Sequence, residues 1–160
     1  MKFAPANQAA IDLAGNSEVF DFTALYTNGP THDGDIIAVL LFQTTGWCPY
    51  CGDEAQLLEG FYNDYKDRGF LIIGVVSEDR SGAPATADYA NSYAGQYNWS
   101  FPVVTGVIPA AYDPSGGMPL NFMLTTKAME QYDAYNGAKP EFYLNMDISR
   151  LMNAAESDLF

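Results

Sequence analysis

The longest apolar run in the chain, residues 36–42, reads Ile-Ile-Ala-Val-Leu-Leu-Phe. It has no polar alternation, which predicts a strand buried on both faces. Over residues 49–66 the period changes: Leu57, Leu58, Phe61, Tyr62 and Tyr65 recur at helical spacing. Arg68-Gly69 then supplies a cation and a glycine to close a helix. Residues 70–76 are again almost wholly apolar, a second buried strand. Strand, helix and strand of these lengths predict a right-handed βαβ unit with parallel strands.

Residues 19–24 read as a short strand, with Asn28-Gly29-Pro30 a turn cluster behind it. Residues 84–97 predict a second helix whose tyrosines Tyr89, Tyr93 and Tyr97 share one face, a core-packing stripe. Residues 101–105 are a strand candidate, 109–112 a helical turn, and 120–125 a strand after Gly116-Gly117-Met118-Pro119. Residues 129–135 can pair with that strand as a hairpin. Residues 141–153 form a last helix, apolar at Phe142, Leu144, Ile148, Leu151 and Met152. With no repeat, low-complexity segment or interdomain linker, one domain is expected over 1–160. Residues 1–16 are expected to be a flexible or loosely packed N-terminal extension.

Composition supports a real core: 48% of the 160 residues are hydrophobic, with 10 Phe and 11 Tyr. Twenty Asp plus Glu against seven Lys plus Arg give a net charge of −13. That excludes nucleic acid as a partner, because phosphate-backbone affinity rests on cationic contacts. It also disfavours anionic lipid surfaces, and no stretch approaches the roughly 20 apolar residues that span a bilayer. Membrane insertion is therefore not expected. Residues 1–16 carry one lysine and no apolar core of signal-peptide length. A cytoplasmic protein and a mature exported form both fit. The low charged content (17%), the many Tyr, Asn and Gly and the two cysteines incline the reading towards export, periplasmic or otherwise.

Those two cysteines, Cys48 and Cys51, sit in Trp47-Cys48-Pro49-Tyr50-Cys51. They act on each other or on a partner. A structural staple across about four residues contributes only roughly 2 kcal/mol by loop entropy, against about 4.7 for a hundred-residue loop. A closed zinc site needs four ligands, and the single histidine, His32, lies outside the motif. No metal and no cofactor are expected. Redox exchange suits the spacing, since helical i, i+3 side chains are roughly 5–6 Å apart, a range in which a disulfide closes with little backbone movement. Pro49 belongs in a first helical turn, which puts Cys48 at the helix N-terminus. There the free N–H groups and the dipole favour a thiolate. Cys48 is thus the candidate nucleophile and Cys51, one turn further in, the resolving thiol. Trp47 and Tyr50 are a candidate apolar contact surface, with core packing the alternative for Trp47.

On these residues the chain resembles a thioredoxin-fold protein, and is most similar to the TlpA-like and redoxin branch of bacterial thiol-disulfide oxidoreductases. One match is the apolar strand running into the cysteine motif. Another is Glu54, three after the second cysteine, where that branch often carries glutamate. The third is Gly117-Met118-Pro119 followed by Leu120-Asn121-Phe122-Met123-Leu124, similar to the family's cis-proline loop and the strand after it. The resemblance covers about residues 19–137, with the final helix in its expected place. It implies an α/β three-layer sandwich, a central mixed β-sheet with helices on both faces. It also implies a cis bond before Pro119, where sequence alone favours trans, and substrate pairing with the Met118 backbone by β-strand addition. The implied partners are protein disulfides or dithiols and an upstream thiol donor. A monomer is expected.

Some features depart from the pattern. Many thioredoxins hold a buried acid on the strand before the motif. The extra residue in Gln43-Thr44-Thr45-Gly46 leaves the register open, but Leu41 and Phe42 are apolar either way. Glu54 is the nearest substitute, either a proton relay or a solvated residue on the helix. No Lys or Arg lies between Lys2 and Lys66, while Asp53 and Glu54 oppose a thiolate. Cys48 is therefore expected to be moderately acidic, in a reducing or exchanging couple rather than a strong oxidant. A peroxiredoxin is the alternative in the same fold: Thr45 stands three before Cys48, where those peroxidases place threonine. Against it, Leu41 replaces their upstream proline and Cys51 would trap Cys48. From another class, a secreted binding module with a structural disulfide would carry the same acidic, tyrosine-rich surface.

Overall fold

The computed structural model describes residues 8–11, 17–20 and 35–158. The expected turn at Asn28-Gly29-Pro30, His32 and the end of the first predicted strand lie outside them. Among the described residues seven strands form one sheet: β1 (Gln8–Ile11), β2 (Ser17–Phe20), β3 (Ala38–Thr45), β4 (Phe70–Glu78), β5 (Val103–Thr105), β6 (Leu120–Thr125) and β7 (Glu130–Asn136). Their spatial order is β2-β1-β5-β4-β3-β6-β7. The helices are α1 (Pro49–Tyr65), α2 (Ala87–Gln96) and α3 (Glu141–Ser157).

The β3–β4 and β4–β5 pairs are parallel and the other four antiparallel, so the sheet is mixed. Every residue of β3 is buried, and alternate positions feed two cores. Ala38, Leu40 and Phe42 pack with Leu58 of α1, Tyr93 of α2 and Ile148 of α3. Val39 and Leu41 join Ile73, Val75 and Phe122 on the other face, where Tyr112 of the 3-10 turn Ala110–Tyr112 packs. Helices α1 and α2 share a face because β3, β4 and β5 step in one direction through right-handed crossovers. The mixed sheet and its α/β packing are as expected, but helices on both faces are not: among the described residues α1, α2 and α3 all pack on one face, and the other carries only the 3-10 turn.

Local interactions move several boundaries. Strand β3 continues to Thr45 through a register shift, Thr44 facing Val76 but Thr45 facing Glu78. The residue left over at the shift is Ser77 of β4, so β3 itself runs on without a bulge to the cysteine motif. Helix α1 ends at Tyr65 in the 3-10 turn Lys66–Arg68, closed by Gly69 at φ 88°, a conformation glycine adopts without strain. Helix α2 starts at Ala87 rather than 84: Thr86 Oγ1 caps it by accepting the Tyr89 N–H at 3.1 Å, and Pro84 pairs with Glu78. Strand β1 falls inside the stretch read as an extension. Its Gln-Ala-Ala-Ile sequence has no strand period of its own, and pairing with β2 and β5 supplies what local propensity does not.

Trp99 locks α1 to the sheet. Its Nε1–H donates to the Ala55 carbonyl at 2.9 Å, and its ring stands edge-on to Phe42. The same ring fills the space over Gly74, where any Cβ would collide with it.

Candidate active site

Cys48 is the N-cap of α1 and Pro49 follows it in the first turn. A disulfide joins Cys48 to Cys51, with Cα atoms 5.3 Å apart. The Cys51 N–H donates to Cys48 Sγ at 3.2 Å. That donor and the helix dipole favour a thiolate on Cys48 once the disulfide opens. Cys48 is 8% exposed and Cys51 0%, so a macromolecular substrate reaches Cys48 first. Trp47 is 52% exposed and Tyr50 67%; the core alternative for Trp47 is thereby excluded. The Trp47 Nε1–H donates to Glu78 Oε2 at 2.5 Å, which fixes the indole beside the end of β4.

Two cavities flank Trp47. One, of about 410 Å³, has Cys48 in its wall with Arg80, Tyr89, Tyr93 and Tyr97. The tyrosine stripe is thus core at Tyr93 and cavity lining throughout. The other cavity, of about 340 Å³, lies on the Met118 side with Glu78 and Asp113 in its wall. The Met118–Pro119 bond is cis. Pro119 is buried, its carbonyl accepting the Gly137 N–H at 2.8 Å, and Gln43 Nε2 approaches Met118 Sδ at 3.9 Å. Sequence reasoning found no cation near the cysteines, yet the fold places Arg80 there. The signal was available: parallel β3 and β4 bring their C-terminal ends, and the segment after β4, to one edge.

Glu54 is 1% exposed, so it is not a solvated residue on the helix. It lies one turn beyond Cys51, and its Oε2 accepts the Lys139 N–H at 3.1 Å. Oε1 has no partner, nor does either polar atom of the Asn121 amide complete a well-formed hydrogen bond. Burial pushes the Glu54 carboxyl up to about 7, although the nearby Asn121 amide and the Lys139 N–H partly offset it. The Lys139 ammonium itself is held by Asp147 Oδ2 at 2.5 Å and lies over the Tyr135 ring. Thr45 is buried with Oγ1 unpartnered. Among the described residues no group of His, Cys, Asp or Glu is arranged to hold a metal ion. No helix among them is long and apolar enough to cross a membrane.

None of the curated proteins compared with the chain matches it. Among solved structures it is similar to a Chlorobium tepidum protein assigned as a thiol:disulfide interchange protein DsbE. The identity is 18% and the TM-score 0.67, over 94% of this chain and 93% of that one. A secreted Mycobacterium tuberculosis disulfide oxidoreductase homologous to DsbE of E. coli is similar at 21% identity and TM-score 0.61, over 91% and 94%. The exposed lipoprotein thioredoxin of Streptococcus pneumoniae is similar at 14% identity and TM-score 0.61, over 91% and 99%. The shared fold is thioredoxin-like. Residues 21–144, which include the cysteine motif, Glu54 and the Met118-Pro119 loop, match the family model described as AhpC/TSA, and the chain belongs to the AhpC/TSA family.

Proposed function

We propose that this protein is a thiol-disulfide oxidoreductase that reduces or exchanges disulfides of partner proteins through Cys48 and Cys51. The observation that carries this is the asymmetry of the pair, a reachable sulfur at a helix N-cap bonded to a wholly buried one. In the reducing direction the Cys48 thiolate attacks one sulfur of a substrate disulfide, and the other substrate sulfur leaves as a thiolate. Cys51 loses its proton and attacks Cys48 Sγ, releasing the second substrate sulfur and closing the disulfide. Two electrons pass to the substrate, and a dithiol donor restores the pair. Glu54, on the same helix face as Cys51, accepts the Cys51 proton. The Met118 backbone pairs with an extended substrate segment, while Trp47 and Tyr50 contact its apolar side chains. Asp53 and Glu54 on α1 weigh towards a mild, reducing couple, while Arg80 in the Cys48 cavity wall weighs against it. The secreted and lipoprotein thioredoxins of similar fold support an exported, periplasmic-type location and protein substrates.

Equilibration against a glutathione or dithiothreitol series tests the reading. A redox-active pair titrates within the range of the thiol-disulfide enzymes, whereas a structural bridge stays oxidised below about −300 mV. The unpartnered Thr45 Oγ1 beside Cys48 favours one second reading, peroxide reduction. Peroxide consumption far above that of free thiols, with no activity on protein disulfides, would select it.

A further inference from the structure

We infer that the cavity between the start of α1 and α2 is a subsite for a carboxylate side chain next to the reacting cysteine of the partner protein, and that Arg80 selects it. The inference rests on the thiol-disulfide reading above. Cys48 is part of the cavity wall, so a group seated there belongs to a residue close to the attacked sulfur.

The chemistry of the wall points to an anion. In a chain with 20 acids against seven basic residues, this wall contains Arg80, tyrosines and Gln96 but no carboxylate. Among the described residues the Arg80 guanidinium makes no ion pair. Its neighbour Asp79 is already engaged, Oδ1 accepting the Ser81 N–H at 2.8 Å, the Ser81 hydroxyl at 2.6 Å and the Ala83 N–H at 3.2 Å. Those bonds pin the loop that carries Arg80. A planar guanidinium with five donors matches a carboxylate in two-point geometry, and phenol hydroxyls can donate to the same oxygens.

The cavity across Trp47 has the opposite character, with Glu78 and Asp113 in its wall and no cation. A carboxylate is repelled there and attracted on the α2 side, so a bound segment acquires a direction. The net charge of −13 repels strongly acidic proteins as a whole. The fitting partner is therefore a neutral or basic segment with one acid beside its cysteine.

Three peptide disulfides, identical except for Glu, Gln or Lys at the residue flanking the cysteine, test this with dithiothreitol as donor at low ionic strength. For the wild-type protein kcat/KM ranks Glu above Gln above Lys, with Glu about fivefold over Gln, the order of one partly exposed ion pair. Arg80→Ala brings the Glu-to-Gln ratio to about one, and Arg80→Lys restores part of it. A wild-type ratio of one, or a ratio that Arg80→Ala leaves intact, overturns the subsite. Uniform loss on all three peptides at constant ratio would assign Arg80 to the Cys48 thiolate instead, and also overturns it. Absence of turnover on every peptide overturns the underlying thiol-disulfide reading.

Discussion

Glu54 Oε2 accepts the backbone N–H of Lys139 at 3.1 Å, tying the carboxyl behind Cys51 to the segment that enters α3. Burial lifts this carboxyl from 4.5 to about 7, so the folded protein keeps a proton that the unfolded chain releases. The stability it contributes is complete below about pH 4.5 and is lost as pH rises through about 7. Denaturant unfolding of the oxidised protein should lose roughly 3 kcal/mol across that window relative to Glu54→Gln, whose amide does not titrate. Parallel pH profiles for the two proteins would remove the buried titrating carboxyl.

The same group sets the second chemical step. Only the carboxylate form can accept the Cys51 proton, so resolution of a mixed disulfide on Cys48 should accelerate as pH rises through about 7. Glu54→Gln should lose this limb and slow resolution by about a hundredfold. Rapid-mixing release of a chromogenic thiol from Cys48 measures it; an unchanged profile would take Glu54 out of the proton path.

Exchanging each sulfur in turn separates the two roles. Cys48→Ser should abolish insulin reduction, while Cys51→Ser should accumulate partner proteins in bonds that reducing agents cleave, visible on non-reducing gels. Full turnover by Cys48→Ser would exchange the nucleophile assignment.

Gly74 and Trp99 offer a test of the scaffold alone. A Cβ at residue 74 runs into the indole, so Gly74→Ala should cost about 1–3 kcal/mol of stability through overpacking. Trp99→Ala should cost about 3–5 kcal/mol, by cavity formation and loss of the bond to the Ala55 carbonyl. The double variant should lose less than the sum, since the alanine methyl then occupies space that the indole leaves.

The parts of the fold visible in the sequence are those with a strong local period. The buried runs of β3, β4 and β6 and the apolar stripes of α1 and α3 announce themselves, and Pro49 marks the start of the active helix. What the period could not show depends on partners far along the chain. Strand β1 is made by its neighbours β2 and β5, and α2 begins where Thr86 can cap it. Glu54 is buried because Asn121 of β6 and Lys139 before α3 close over it, which a helical wheel of α1 cannot reveal. Arg80 is 32 positions from Cys48 in the sequence and reaches its cavity only because two strands are parallel.

The wholly enclosed sulfur of Cys51 has a kinetic consequence. Electrons enter and leave through the same atom, Cys48 Sγ, so the donor protein and the substrate protein must occupy one face by turns. No ternary complex of the three can form at that sulfur. Steady-state rates should therefore follow a ping-pong pattern, with each partner competing against the other for the opposite oxidation state.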